Sequence, residues 1–414
     1  MRLTTLGTSC AQQTTSRTQS AHALSITPSI TYLFDCGSST ATTLIQSGIK
    51  YSSIQKVFVT HLHTDHVIGL PGLLTDILGG HGGNIKDFQE GLKREGPARR
   101  VLDIYGPLGI KEFLRTTFRL TYTLLATSFR IHELLFDEDP VNNDEPFLRE
   151  EGSRDLRIAA GHWIDISVDD RCKVTAVPIL HSVPSLAYII TEDDSIRIPD
   201  TYVQKLKDVF KGKNVSLIQT AMRDLKAGKS ISLEDETIGP LEREKGRQVV
   251  ILGDTCDAST ILKHVEPPIS LLLHEATNAY LPSYCKDEDT FASTKLRAID
   301  RGHSTPDMAG ELARKCDSQF LVLTHFSSRY SGADNPGAVK IMKYFEQLAH
   351  LAGSASQTTV EALFATQNGQ THKRPKKERK DSTRDNDMTY DGNIIAAWDG
   401  MYIDIPRTGL MIRR

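Results

Sequence analysis

The chain has 414 residues, a formal charge of −3, 39% hydrophobic residues and 24% charged residues, the balance of a globular protein with one large domain or two to three small ones. A slightly acidic whole excludes holding nucleic acid by overall charge, so any such partner needs local basic patches. No pair among Cys10, Cys36, Cys172, Cys256, Cys285 and Cys316 has CxxC spacing, which excludes a cysteine-type zinc site and a dithiol redox motif and points to reduced thiols in an intracellular compartment.

Taken in chain order, "MRLTTLGTSC" reads as an opening strand and loop without a signal-peptide core, and no apolar run is long enough to span a membrane. "SITYLFDCG" and "KVFVT" read as strands, the second ending at His61. "GLPGLLTDILGG" has helical spacing and a glycine stop, and residues 79–100, glycine-rich and charged, look inserted. "RVLDIYGP" is a strand and "GIKEFLRTTFRLTYTLL" an amphipathic helix. "KVTAVPIL" ends at His181, "QVVILG" at Asp254 and "QFLVLT" at His325, with the strand "ISLLLHEA" and the helix "PDMAGELARKC" between the last two. Residues 192–247 read as an extended helical arm, and 366–388, with the basic run "KRPKKERK" at 373–380, as a disordered link. "NIIAAWDGMYIDIP" returns to strand. Strands alternating with helices predict an α/β layered fold. Four strands that stop at a histidine or aspartate place chemistry where a rigid sheet meets an exposed loop.

"THLHTDH" concentrates that chemistry. Crowding His61, His63, Asp65 and His66 together costs polar packing without apolar return, and coordination of a divalent metal repays it, since imidazole and carboxylate are zinc ligands. One ion cannot use all four comfortably, but two can: His61 and His63 on one, Asp65 and His66 on the other. The missing ligands must come from distant strand ends, His181, Asp254 and His325, and the Asp254 carboxylate is the best bridge.

"THLHTDH" followed by "VIGLPGLL" resembles the signature of the metallo-β-lactamase superfamily, and the "GLPGLL" continuation resembles its ribonuclease Z branch, the tRNA 3′-processing endonucleases. "LGTSCA", "YLFDCGSSTATTLIQSGI", "VPILHSVPSLAYII", "VVILGDTCDA", "LLLHEAT", "RGHST" and "LVLTHFSSRY" carry the match along most of 1–330, and the final strand near 392–406 joins it. The HxHxDH motif specifies only the superfamily, whereas its conjunction with HEAT, GHST and THFSSRY specifies the branch. The resemblance implies an αββα sandwich of the single-domain short form, with 1–365 and 389–414 as catalytic domain, 192–247 as inserted substrate-binding arm and 366–388 as basic link. It implies two zinc ions per chain, one on His61, His63, His181 and Asp254, the other on Asp65, His66, Asp254 and His325. The implied reaction is attack of metal-activated hydroxide on a phosphodiester, removing the 3′ trailer of precursor tRNA and leaving a 3′-hydroxyl. Asp65 would orient the hydroxide, His303 would protonate the leaving oxygen, and Glu275 would hold the His303 tautomer. His303 and its neighbours also make a good helix start, and His274 reads as a support.

Two departures stand out. The family's Pro-x-Lys-x-Arg-Asn loop is here "QTTSRT", in which Arg17 survives as a substrate contact while Gln13, Thr15 and Thr18 replace the proline, lysine and asparagine. The arm lacks the family's glycine-proline knuckle, yet Lys205, Lys207, Lys211, Lys213, Arg223, Lys226 and Lys229 make it basic and suited to phosphate contact. Arg329 reads equally as a phosphate ligand or a surface arginine. The expected partners are precursor tRNA and a second copy of the chain, with no membrane, in the nucleus or cytoplasm. Two other readings stay open: a dinuclear phosphodiesterase for small or cyclic nucleotides, told apart by comparing pre-tRNA with small esters, and a non-catalytic RNA-binding scaffold, told apart by metal content.

Overall fold

The computed structural model describes residues 1–82, 101–141, 145–169, 171–210, 215–233, 236–282, 285, 288–332, 335–369, 393–407 and 411–413. Two sheets dominate. The first runs Met411–Arg413, Tyr402–Asp404, Arg2–Gly7, Ala21–Thr27, Ile30–Phe34, Ile54–Phe58, Val101–Pro107, Ser128–Leu135 and Arg154–Arg157. The second runs Trp163–Val168, Cys172–Ile179, Ser185–Glu192, Gln248–Leu252, Leu271–Glu275, Leu321–Thr324 and Ile394–Ala396.

The sheets pack face to face because alternate residues on both are large and apolar. Phe34, Phe58 and Leu24 of the first meet Tyr188, Ile251 and Leu273 of the second, all buried, and Phe58 lies 5.0 Å from the Tyr188 ring. Each such side chain withdrawn from water contributes about 1.5–3 kcal/mol. The outer face of the first sheet is covered by helices Leu70–Ile77 and Ile110–Leu120, through Leu70, Leu74, Ile110 and Leu114. Helices Pro306–Lys315 and Pro336–Leu351 cover the second through Ala309, Leu312, Met342 and Phe345. The result is the αββα layering of the metallo-β-lactamase fold.

Strands Ile30–Phe34 through Arg154–Arg157 pair in parallel, as do Gln248–Leu252 through Ile394–Ala396. In such sheets ligands collect beyond the carboxyl ends of the strands. His61, Asp254, Glu275 and His325 all stand at such ends.

The structure revises several expectations. "NIIAAWDGMYIDIP" is not one strand. Ile394–Ala396 extends the second sheet, Gly400 turns with φ +80, and Tyr402–Asp404 extends the first, so this segment stitches the two sheets together. The helix "GIKEFLRTTFRLTYTLL" stops at Leu120, and Tyr122 then takes a left-handed φ of +51. Helices Asp200–Val209 and Val215–Lys226 of the arm share a small core of Ile198, Leu206, Ala221, Leu225 and Ile238. The expected insertion at 79–100 and the basic link at 366–388, including 373–380, lie largely outside the described residues. All six cysteines are free. Among the described residues no helix is long and apolar enough to cross a membrane.

Candidate metal centre

Strand Ile54–Phe58 delivers an extended stretch that ends at His63, and Asp65 and His66 occupy the single turn of helix Thr64–Val67. Gly69 follows because the chain then runs against the backbone of 36–37: its N–H bonds the Cys36 carbonyl at 2.9 Å, and a Cβ there would stand 2.1 Å from the Gly37 carbonyl oxygen. His181, Asp254 and His325 arrive from the second sheet. His325 adopts a left-handed φ of +58, a strained conformation for a non-glycine residue.

The tautomers of these histidines follow from their outer partners. Asp35 accepts the Thr60 N–H at 2.7 Å, the Thr60 hydroxyl at 2.8 Å and His66 Nδ1 at 2.7 Å. A carboxylate only accepts, so the His66 proton sits on Nδ1 and the Nε2 lone pair faces inward. Thr60, having given its proton to Asp35, accepts from His61 Nδ1 at 3.1 Å. Thr277 repeats the device: it donates to Glu275 and accepts from His325 Nδ1 at 3.0 Å. His181 Nδ1 donates to the Gly302 carbonyl at 2.7 Å. That contact needs a glycine, since Gly302 has φ +76 and a Cβ would stand 2.6 Å from the imidazole.

Four Nε2 lone pairs are thereby turned inward and crowd together. His66 Nε2 is 3.2 Å from His325 Nε2, while His63 Nδ1 is 3.1 Å from His61 Nε2 and 3.3 Å from His181 Nε2. Facing lone pairs at these distances repel unless positive charge stands between them. Asp254, 3% exposed, reaches both groups: Oδ1 is 3.4 Å from His66 Nε2, and Oδ2 is 3.2 Å from His325 Nε2 and 3.7 Å from His61 Nε2. Asp65 Oδ2 is 3.4 Å from His325 Nε2 and accepts the Ala11 N–H at 2.6 Å. Ligand atoms of His61, His63, His181 and Asp254 lie within 4.8 Å of one another, as do those of Asp65, His66 and His325. Imidazole nitrogens and carboxylate oxygens so gathered are a donor set that fits a divalent metal ion.

The electrostatics agree. Burial lowers His61 well below its ordinary range and lowers His181, keeping both neutral as ligands must be. Burial also opposes charge on His66, yet Asp254 and Asp35 override it and raise the ring to about 10. His325 is likewise raised well above its usual value against its burial, chiefly by Asp254. The same two rings hold the buried Asp254 well below the carboxylate range. Both upward shifts report the negative charge that Asp254, Asp35 and Asp65 concentrate at the cluster, a charge that bound cations would offset.

Beside this cluster, Glu275 accepts the Thr255 N–H at 2.8 Å and His303 Nδ1 at 3.0 Å. Burial lowers His303, but Glu275 and Asp254 outweigh it and raise the ring above its ordinary value. His274 stays buried, its Nδ1 donating to the Glu275 carbonyl at 2.7 Å, outside the ligand groups. Arg329 is exposed at the end of the His325 loop.

Arg17 corrects an expectation. It is 1% exposed, donates to the Tyr330 carbonyl at 3.1 Å and the Ala397 carbonyl at 3.0 Å, and stacks 4.5 Å over Phe326. Such a side chain cannot reach substrate. The altered loop around it is tied by glutamines: the Ser38 and Ser39 hydroxyls donate to Gln13 Oε1 at 3.0 and 2.8 Å, and Gln19 Nε2 donates to the Ala11 carbonyl at 2.7 Å. On the arm, Lys205 pairs with Glu236 at 2.6 Å and Lys229 with Asp224 at 3.3 Å. Lys207, Arg223 and Lys226 are exposed, and Lys211 and Lys213 lie outside the described residues. Sequence reading passed over Asp35, Thr60 and Thr277. Only Thr60 adjoins a candidate ligand in sequence; Asp35 and Thr277 lie 31 and 48 positions from the histidines they orient, so only the fold shows them.

A family model described as "Anti-Pycsar protein Apyc1" matches residues 1–78. The chain is 32% identical over 377 residues to zinc phosphodiesterase ELAC protein 1 of Bos taurus, covering 85% of this chain and 94% of that protein. It is also 32% identical over 306 residues to ribonuclease Z of Bacillus subtilis, covering 73% of this chain and 79% of the relative. The crystal structure of human tRNase Z, short form (ELAC1), matches with a TM-score of 0.53 and 28% identity over 80% of this chain and 95% of that one. With the ligand strands, the HEAT and GHST pairing and these relatives in agreement, the chain belongs to the ribonuclease Z family.

Proposed function

We propose that the chain is a zinc-dependent endoribonuclease that removes the 3′ trailer from precursor tRNA. The observation that carries this reading is the convergence of inward-facing imidazole nitrogens, 3.1–3.3 Å apart, around one shared carboxylate, Asp254. The names of the relatives, a ribonuclease Z and a tRNase Z, supply the substrate class. In this reading His61, His63, His181 and Asp254 hold one zinc ion, and Asp65, His66, Asp254 and His325 hold a second. Bound zinc supplies Lewis acidity, lowering the pKa of water and offsetting charge that develops on the phosphate oxygens.

The chain's own residues do the rest. Asp65, held by the Ala11 N–H, orients the attacking water by accepting its hydrogen bond. His303, kept protonated by Glu275 through Nδ1, donates its other proton to the departing 3′-oxygen as the P–O3′ bond breaks. The tRNA keeps a 3′-hydroxyl and the trailer carries a 5′-phosphate. His303→Ala is expected to lower kcat by about 10²- to 10⁴-fold, with zinc content unchanged. A small RNA leaving group replaced by p-nitrophenolate, which needs no proton, should recover most of the loss; no recovery would remove His303 from the acid role.

The arm is read as the RNA-gripping element, with its exposed Lys207, Arg223 and Lys226 on the phosphate backbone. Deleting its centre would also remove Leu206, Ala221 and Leu225, the arm's own core, so neutralising those three cations is the cleaner change. The triple alanine variant is expected to bind precursor tRNA at least about tenfold more weakly and with a smaller salt dependence. Its hydrolysis of bis(p-nitrophenyl) phosphate should stay at wild-type level. Equal losses on both substrates would make the arm structural. The family relationship also supports a homodimer acting inside the cell, in which one subunit's arm grips the RNA cut by its partner. Cleavage of a defined precursor tRNA with both product ends mapped tests the whole reading, and activity on small or cyclic phosphodiesters with none on the tRNA would overturn it.

A further inference from the structure

The "QTTSRT" loop and the C-terminal crossing between the sheets meet in one buried network that the reaction has not yet used. Thr8 is fully buried. Its hydroxyl accepts from Arg17 Nη1 and donates to Asp399 Oδ1 at 2.6 Å. Asp399 also accepts from the Thr18 N–H and, at 2.9 Å, from the Thr18 hydroxyl. A buried guanidinium and a carboxylate are thus joined through one hydroxyl, with the Ala397 and Tyr330 carbonyls taking further guanidinium protons. Asp399 precedes Gly400 at the turn where the chain leaves the second sheet for the first.

From this network the main chain runs straight to the metal cluster. Ser9 N–H bonds the Thr18 carbonyl at 2.9 Å, Phe326 N–H the Thr8 carbonyl at 2.8 Å, and Cys10 N–H the Phe326 carbonyl at 2.9 Å. Phe326 follows His325. The next residue, Ala11, with a left-handed φ of +56, aims its N–H at Asp65 Oδ2. Residues 8–11 are therefore a short rod held at one end by Arg17 and Asp399, bonded along its length to Phe326, the residue after His325, and to Asp65 at its tip.

We infer that Arg17, Thr8 and Asp399 are positioning residues. They couple the C-terminal crossing to the carboxylate orientation of Asp65 and the ring of His325. The fold of the two sheets stands on its own apolar core, so loosening the network moves the site more than it unfolds the chain. Outer partners of metal ligands set ligand orientation, and their loss typically costs about 10- to 100-fold in affinity or activity. This inference rests on the metal-ligand reading of Asp65 and His325 given above.

Asp399→Asn and Thr8→Val test it in the full-length protein, with Thr8→Ser as the conservative counterpart that keeps the hydroxyl. In the cobalt-substituted protein, both disruptive variants are expected to change the visible d–d spectrum. Both should lower kcat about 10- to 100-fold on precursor tRNA and on bis(p-nitrophenyl) phosphate alike, with KM within about threefold. Thr8→Ser should restore spectrum and kcat. Unchanged spectrum and kcat in folded Asp399→Asn and Thr8→Val would overturn the inference, as would a loss confined to the KM for RNA or a fall in Tm alone. A metal-loaded, active wild type with unaffected variants refutes this coupling only, whereas a wild type that binds no metal refutes the function reading and this inference with it.

Discussion

Replacing Asp65 by alanine is expected to lower turnover of precursor tRNA by about a thousandfold or more while RNA binding stays near wild type. Asp65 is 7% exposed, and its Oδ2 lies 3.4 Å from His325 Nε2 and 3.7 Å from His66 Nε2 while also accepting the Ala11 N–H at 2.6 Å. Although burial alone would raise its carboxyl, the hydrogen bond from His325 and the charges of His66 and His325 hold it well below the ordinary carboxylate range. The side chain is therefore an anion at every working pH, able both to bind a cation and to take a hydrogen bond from water. Removing it takes away both. The cations proposed to hold the RNA lie on the arm at 205–229, so affinity measured by filter binding should persist. Asp65→Asn separates the two roles, since the amide keeps the shape and loses the charge. Wild-type-like turnover in either variant would refute the role, and a parallel collapse of RNA binding would mean that Asp65 organises the substrate surface instead.

Stripping metal should have the second large effect. A chelator is expected to bring cleavage to background, and added zinc to restore it, with full activity at two equivalents per chain. The metal-free site holds carboxylates Asp65 and Asp254 against rings whose lone pairs face one another. Ligands that bind only the native state stabilise it by mass action, about 2.7 kcal/mol at a hundredfold excess over Kd. Tm should accordingly fall by about 3 °C for each ion removed. Cleavage that survives exhaustive chelation, or saturation at one equivalent, would contradict the two-ion assignment.

Much of this centre is legible in the amino-acid order alone. His61, His63, Asp65 and His66 are close in sequence, so local geometry suffices to bring them together. His181, Asp254 and His325 each end a short β-branched or leucine-rich run, and a sheet necessarily places such ends along one edge. Apolar alternation within those runs also dictates the layers, because every strand must bury a face. Arg17 was misread for the opposite reason. An arginine in a polar loop carries no mark of burial, and its environment comes from Phe326, Tyr330 and Ala397, more than 300 positions away.

The sequence by itself determined the candidate ligand types, the local cluster of His61, His63, Asp65 and His66, and the strand ends that carry the others, since these depend on chain neighbours and on the period of the strand. Only the tertiary structure decided the tautomers of His61, His66, His181 and His325, through Asp35, Thr60, Thr277 and Gly302. Only the tertiary structure, too, turned Asp399 from a residue within an expected strand into the point where the C-terminal crossing grips the metal-site loop. Hydrogen-bond partners of this kind are chosen by distance in space over a few ångströms, a relation that one-dimensional spacing does not encode.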